Sequence, residues 1–405
     1  MKVAVLGFGT VGSGVVEVLE VNTESICKKV GEPLELKHIL DIRDFSAHPH
    51  HEKFVTSIET ILEDEEVKVV AEAMGGVEPA YSYIKALLEK GKSVVTSNKE
   101  LVALYGPELI ASARVHGCNF LFEASVGGGI PIIRPLNHAL TADEIYEITG
   151  ILNGTTNFIL TKMRDEGRTF EDVLKEAQAL GYAERNPEAD VAGDDTCRKI
   201  AILSSLAFGH HVNYKEVETK GITDISAEDM HYATMMGYSI KLLGRCIKQG
   251  EKVFVSVEPT MISNSHPLAM VNDVFNAVFL KGNMVGDVMF YGRGAGKLPT
   301  ASAVVADMIE AARHKGVSIT TFWSREKVEL SPKSEYQSSY FVRLEGEKSY
   351  LQTVVKEVFE TVEEVESLGE EEYAFITPYE QIASIQGKLE SLKQVRILNC
   401  IAVER

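Results

Sequence analysis

Between Leu180 and Lys199 the chain crowds together side chains that can grip a cation and move a proton: Tyr182, Glu184, Glu188, Asp190, Asp194, Asp195 and Lys199. Asp195 and Lys199 stand four apart at the entry to an apolar run, IAILSSLAFG, that reads as a helix, so they share one face and can touch. Upstream, Gly181, Asn186 and Pro187 predict a loop able to carry Glu184 toward the same place. Two acids and one amine can hold a substrate ammonium and still move a proton. The same spacing also suits a solvated surface pair worth only about 0.3–0.5 kcal/mol. Which reading applies depends on the elements that position these residues.

The amino terminus supplies the first of them. Lys2 to Leu6 reads as a buried parallel strand, followed by Gly7, Gly9 and Gly12 in G-x-G-x-x-G spacing and a helical pattern through Val15, Val16, Val18 and Leu19. The first glycine permits a tight turn, the second lets pyrophosphate approach the backbone, and the third lets helix pack on strand. A second strand, Leu34 to Leu40, ends at Asp41-Ile42-Arg43. An acid here takes ribose hydroxyls and an Arg takes a 2′-phosphate, so NAD and NADP both stay open. Strands at Val67 to Ala73 and Ser93 to Thr96, with helices at Ala80 to Glu89 and Lys99 to His116, continue the alternation of a doubly wound sheet. Ser97, Asn98 and Lys99 then fall at the carboxyl end of a strand, where ligands of such sheets lie, and Lys99 can reach a phosphate, a carboxylate or a reacting oxygen.

A further strand, Asn119 to Ala124, runs into Glu123-Ala-Ser-Val-Gly-Gly-Gly-Ile130-Pro131. Its three glycines free the backbone to turn carbonyls inward beside Glu123 and cage a hard cation, and they equally suit a flexible loop. Glu144 to Leu152 predicts a strand, and Asn153-Gly-Thr-Thr-Asn157 a polar turn and helix cap whose backbone amides can receive a carboxylate.

Composition narrows the partners. The 405 residues predict two or three domains, and a net charge of −18 argues against nucleic acid and membrane surfaces. Five cysteines without metal-ligand spacing suit a reducing cytoplasm. The apolar start lacks signal-peptide features, and no window reaches the roughly 18 apolar residues of a membrane span.

Taken together, GFGTVG near the start, TSNK at 96 to 99, EASVGGGIP at 123 to 131, NGTTNFIL at 153 to 160 and the GYAE-to-Lys199 stretch resemble the homoserine dehydrogenase family, in order and over nearly the whole chain. The resemblance implies NAD(P)-dependent interconversion of L-homoserine and L-aspartate 4-semialdehyde, on the route to threonine and methionine. It implies Lys199 as the proton-transfer residue, with Lys99 also catalytic; Glu184 and Asp195 as ammonium binders; and Gly154, Thr155 and Tyr182 in the substrate pocket, with Asp190 behind them. For the cofactor it implies Gly7, Phe8, Gly9, Thr10, Val11, Gly12, Arg43, Ser97, Lys99, Gly181, Glu184 and Gly294, and NADP or NAD as the group bound. For a sodium ion it implies Glu123 with the carbonyls of Val126, Gly128 and Ile130. The chain departs from the family's TANK at Ser97. A proton carrier works best with its pKa lowered from about 10.4, so the expectation is that Asp195 serves the substrate ammonium and leaves Lys199 free.

Later segments complete the expectation. Strands at Val253 to Pro259, Asn276 to Lys281 and Gly286 to Tyr291 suggest a mixed sheet, and Gly292-Arg-Gly-Ala-Gly296 leads a helix from Thr300 to Arg313. After a polar linker, strand Ser339 to Leu344, helix Tyr350 to Val362, strands Val365 to Leu368 and Tyr373 to Thr377, helix Ile382 to Leu392 and strand Val395 to Val403 give a ferredoxin-like β-α-β-β-α-β order. In the family this looks like an ACT domain that senses threonine, although the loop after its first strand, Glu345 to Ser349, lacks Pro-Gly. The fold class is thus α/β, with a Rossmann-like domain over 1–135 and about 297–318, an α+β catalytic and dimerisation domain over 136–296, a linker over 319–336 and an ACT domain over 337–405. A cytoplasmic homodimer or homotetramer is expected. Two rival readings are a thiolate-dependent aldehyde dehydrogenase using Cys197 and a non-catalytic nucleotide- and amino-acid-sensing regulator.

Overall fold

The nearly apolar run Lys2–Leu6 forms the centre of a parallel sheet. The computed structural model describes residues 1–392 and 395–404 and orders this sheet as Phe54–Val55, Glu35–Leu40, Lys2–Leu6, Val67–Glu72, Ser93–Thr96 and Phe120–Leu121. That is the 3-2-1-4-5-6 order of a dinucleotide-binding fold, as the alternation predicts. Its inner strands are buried on both faces, which is why they read as continuous apolar runs. Helices Thr10–Val21 and Lys297–Arg313 pack on one another, and Val15, Val16, Leu19, Ala301, Val304 and Met308 join Val3, Val5 and Val69 in one core. Full burial of each such Val or Leu contributes about 1.5–3 kcal/mol. With 201–215 and 281–328, residues 1–145 make one compact unit.

The second unit comprises 146–200, 216–280 and 329–405. Its sheet runs Phe275–Gly282, Ile145–Ile151, Tyr238–Gln249, Lys252–Ser263, Arg396–Val403, Gln337–Glu345, Glu372–Ile376, Glu363–Val365. The last four strands and helices Lys348–Val358 and Ile382–Ser391 follow the expected β-α-β-β-α-β order around their own core of Val342, Leu344, Phe359, Phe375 and Ile385. Arg396–Val403 is parallel to Lys252–Ser263 through Thr260 opposite Ala402, so the carboxyl-terminal strands share one sheet with the rest of this unit.

Several expectations are corrected. Asn119 to Ala124 gives only the two-residue strand Phe120–Leu121, because the chain then closes into a 3-10 turn at Glu123–Ser125 whose first amide donates to Asp307. The helix from Tyr350 runs instead over Lys348–Val358, since Phe359 is extended and buries its ring, and the following strand is Glu363–Val365 rather than Val365 to Leu368. Among the elements that escape sequence reading are helices Thr23–Val30 and Ala227–Met235 and the twelve-residue strand Tyr238–Gln249. The strand is masked because Lys241 and Arg245 are buried in it, one on three oxygens and the other on Glu404, which removes the usual polar-apolar alternation.

Candidate active site

In the first unit, Gly7 adopts φ +87°, and a Cβ on Gly12 would fall 1.8 Å from the Gly7 carbonyl oxygen, so neither position accepts a side chain. Around Gly9, by contrast, a Cβ would meet nothing within 4 Å. Thr10 and Val11 open the helix, which carries no acid in its first turn, so its amino terminus keeps its attraction for anions. This cradle fits a pyrophosphate. Phe8 donates its amide to Asp41 at 2.8 Å, and its ring packs edge-on against Phe45 and Phe54.

At the neighbouring strand end, Arg43 holds both oxygens of Asp41, Nε to Oδ1 at 2.9 Å and Nη2 to Oδ2 at 2.7 Å, and its guanidinium lies 5.1 Å over the Phe45 ring. The guanidinium keeps the Asp41 carboxyl well below the usual carboxylate range. The acid suited to ribose and the cation suited to a 2′-phosphate are therefore paired with each other.

Ser97 and Lys99 flank the cap of helix Lys99–Val115, where Asn98 Oδ1 accepts the Leu101 amide at 3.1 Å. Behind them lies Glu72, fully buried, which accepts from Thr96 Oγ1 at 2.5 Å and from the Met74 amide at 2.7 Å. Burial pushes its carboxyl up, against those bonds. Glu72 is a supporting residue that sequence reading passed over as part of a strand.

The 123–130 loop is tied at both ends. Glu123 accepts the amides of Ile132, Ile133 and Arg134 at 2.6, 2.8 and 2.7 Å. The Glu123 carboxylate thus holds the chain that follows the loop, with two amides on Oε1 and one on Oε2. Gly128 has φ +57°, and a Cβ there would lie 2.2 Å from the Gly294 carbonyl oxygen, while the Gly129 amide donates to Arg293 at 3.1 Å. Gly294 thus serves at least to close this loop.

Helix Asp194–Phe208, whose first turns belong to the second unit, presents Asp195 and Lys199 on one side. They are 3% and 8% exposed, so the pair is buried rather than solvated. Lys199 Nζ donates to Asp195 Oδ2 at 2.7 Å and to the Leu152 carbonyl at 2.7 Å. The expectation that Asp195 leaves Lys199 free is corrected: one helical turn apart and both buried, the carboxylate and the ammonium pair with each other. Asn153 Nδ2 adds bonds to Asp190 Oδ1 at 2.7 Å and Asp195 Oδ2 at 2.9 Å. Its Oδ1 caps helix Gly154–Glu166 by accepting the Thr156 amide at 2.8 Å. Asn153 was legible as a cap; its bridge between two acids far along the chain was not.

Thr155 Oγ1 donates to the Tyr182 carbonyl at 2.7 Å, and the Tyr182 ring meets Phe158 edge-on. Gly154 and Thr155 therefore stand at a helix start beside Asp190, Asp195 and Lys199. Gly181, with φ +75°, and Glu184 lie on the exposed loop after helix Phe170–Ala179, and Gln178 holds the Glu184 carbonyl at 3.2 Å. The carboxylate of Glu184 is exposed and does not join the buried cluster. Cys197, the nucleophile of the rival thiolate reading, is 4% exposed, and burial pushes its thiol up, the wrong direction for a nucleophile.

A six-stranded parallel sheet with a glycine cradle for pyrophosphate, joined in one chain to a buried lysine-carboxylate cluster, defines a nucleotide-dependent oxidoreductase. Comparison with known proteins agrees. The description "Homoserine dehydrogenase, NAD binding domain" matches residues 7–123 and "Homoserine dehydrogenase" matches 131–309. The homoserine dehydrogenase of Bacillus subtilis (strain 168) is 44% identical over 324 residues, 79% of this chain and 75% of that protein. The crystal structure of a homoserine dehydrogenase from Thiobacillus denitrificans, 35% identical, superposes with a TM-score of 0.91 over 100% of this chain and 98% of that one. A hyperthermophilic archaeal homoserine dehydrogenase in complex with NADPH, 30% identical, gives 0.66 over 76% of this chain and 97% of that one. The chain belongs to the homoserine dehydrogenase family. It is an oxidoreductase with an NAD(P)-binding domain and a small-molecule substrate, and the non-catalytic reading is set aside. Among the described residues no helix is long and apolar enough to cross a membrane.

Proposed function

We propose that the chain interconverts L-homoserine and L-aspartate 4-semialdehyde, with Lys199 carrying the proton. The bound nicotinamide supplies or accepts the hydride at C4. The observation that carries the reading is the buried amine of Lys199, 2.7 Å from Asp195 and 2.7 Å from the Leu152 carbonyl. Asp195 and Asp190 are held ready by Asn153, a neutral donor that leaves their charge available to a cation. An arriving substrate ammonium competes with Lys199 for Asp195, which loosens the pair and lowers the proton affinity of Lys199 at the moment it has to take the proton of the C4 hydroxyl. The amides at Gly154 and Thr155 receive the substrate carboxylate. Glu184, on its exposed loop, reaches the ammonium only if that loop folds inward over substrate, and Tyr182 and Gly181 move with it.

The same reading takes NADP, with NAD as a second partner, at Gly7 through Gly12, Arg43, Ser97 and Lys99, with Lys99 near the reacting end. A sodium ion on the 126–130 carbonyls is a structural partner of that loop, and no proton or hydride step requires it. The carboxyl-terminal β-α-β-β-α-β segment serves as an ACT-type module for threonine and for assembly into a homodimer or homotetramer. Five free cysteines suit a cytoplasmic setting.

Absorbance at 340 nm with homoserine and NADP+ tests the activity. Lys199→Met is expected to lower turnover by at least about 10³-fold with NADPH binding retained. Full activity in that variant removes Lys199 from the mechanism.

A further inference from the structure

Lys241 lies in strand Tyr238–Gln249 and is 1% exposed, a charge-bearing side chain enclosed where a leucine would fill the space. Burying an amine without partners is costly. Its Nζ has three oxygen partners: the Val271 carbonyl at 2.5 Å, Asn157 Oδ1 at 3.1 Å and Asn272 Oδ1 at 3.2 Å. Three acceptors match the three N–H bonds of an ammonium. Burial pushes the amine down to about 7, with the Arg164 charge acting in the same direction and those of Asp165 and Asp273 against it.

The partners of Lys241 share a second centre. Asn157 Nδ2 donates to the carbonyls of Val271, Asp273 and Phe275 at 3.1, 3.0 and 3.0 Å. Thr161 Oγ1 accepts the Asp273 amide at 3.1 Å and donates to the Asn157 carbonyl at 2.7 Å. Asp273 itself is bent to φ 55°, in the left-handed region. The segment 271–275 is therefore wrapped, carbonyls inward, around the Lys241 amine and the Asn157 amide. This turn is also the floor under the start of helix Gly154–Glu166, since a Cβ on Gly154 would lie 2.9 Å from the Val274 carbonyl oxygen.

A turn with several carbonyls facing one point needs a cation or amide donors there, and the sequence provides both from inside. We propose that Lys241 is a positioning residue for substrate recognition: its amine gathers the 271–275 turn and, through Asn157 and Val274, fixes Gly154 and Thr155 where they receive the substrate. Lys241 touches neither substrate nor cofactor. The proposal rests on the assignment of Gly154 and Thr155 to the substrate carboxylate.

The test is Lys241→Met in the full chain, which keeps the side-chain length and removes the donors. Steady-state kinetics and amide hydrogen exchange are read together. The expected result is a KM for homoserine raised about tenfold, a KM for NADP+ changed by less than about twofold, and exchange at 271–276 and at 156–160 accelerated about tenfold or more. Wild-type exchange rates in the folded variant overturn the proposal whatever the kinetics do. Faster exchange with an unchanged KM for homoserine also overturns it, because the turn is then structural only. If Lys241→Met does not fold, Asn272→Ala at the rim of the same cluster is expected to move the same amides and the same KM by about threefold, and unchanged values overturn the proposal. A wild-type chain that does not oxidise homoserine sinks the functional assignment instead, and the exchange result still decides whether Lys241 orders the helix start.

Discussion

Asn153 Nδ2 lies 2.9 Å from Asp195 Oδ2, and the same amide group reaches Asp190 at 2.7 Å, so one uncharged side chain ties together two acids that stand five residues apart. A cationic bridge in that place would neutralise the carboxylates it aligns. A neutral one aligns them and adds no charge of its own beside the Lys199 ammonium that Asp195 already holds.

Asn153→Ala removes both bonds and the helix cap. Loss of the cap is expected to cost about 1–2 kcal/mol, read from urea unfolding. The KM for homoserine is expected to rise about tenfold with the KM for NADP+ unchanged. Equal changes in both constants would show that Asn153 acts on the whole fold rather than on the acids.

Arg343, on the carboxyl-terminal strand Gln337–Glu345, donates to Asp229 Oδ1 and to Glu372 Oε1, each at 2.7 Å, and Asp229 is fully buried. Asn399 donates to the other oxygen of Asp229 at 2.6 Å, so helix Ala227–Met235 is fastened to the carboxyl-terminal strands by a charged network. Arg343→Met is expected to destabilise the protein by about 3–5 kcal/mol, because it leaves a buried carboxylate uncompensated. Adding Asp229→Asn is expected to recover part of that loss in urea melts. A double variant no more stable than the single one would mean that packing, not charge, makes the junction.

Arg43→Ala frees Asp41 to accept ribose hydroxyls and removes the cation that balances a 2′-phosphate. The ratio of kcat/KM for NADP+ to that for NAD+ is expected to fall about tenfold or more. A pH effect accompanies it. With Arg43 present the Asp41 carboxyl is held low in the folded chain, so its stabilising contribution is present above the ordinary carboxylate pKa of about 3.9 and is lost as pH falls toward the lower folded value. The variant is expected to lose its tolerance of mild acid at a higher pH than the wild type, as a thermal melt series would show. An unchanged cofactor ratio would place the phosphate contact elsewhere.

Cys197 is expected to resist iodoacetamide at pH 8 while activity persists, because the thiol is enclosed and burial disfavours its thiolate. Stoichiometric labelling of Cys197 by mass spectrometry with parallel loss of activity would contradict the buried position.

Much of the nucleotide-binding half was legible because its signals are local. Gly7, Gly9 and Gly12 declare a turn by spacing, and strands buried on both faces declare themselves by unbroken apolar runs. The four-residue interval from Asp195 to Lys199 likewise predicted a contact that the fold contains. What was hidden depends on partners far away in sequence. Lys241 and Arg245 made a central strand look amphipathic in no regular way, since their charges are satisfied by residues 271–272 and by Glu404. Glu123 looked like a free ligand, and the three amides that occupy it follow nine to eleven residues later in a turn that composition alone does not foretell. Asn153 showed its cap and concealed its bridge for the same reason.

The strand Arg396–Val403 lies inside its sheet, between Lys252–Ser263 and Gln337–Glu345, both of which leave the ribosome before it. During synthesis the gap between those two older strands stays open, with unpaired backbone on either side, until the last of them is threaded in. A nascent chain stalled around residue 390 therefore carries two sticky edges, and a late frameshift there injures a seam inside that sheet rather than its margin.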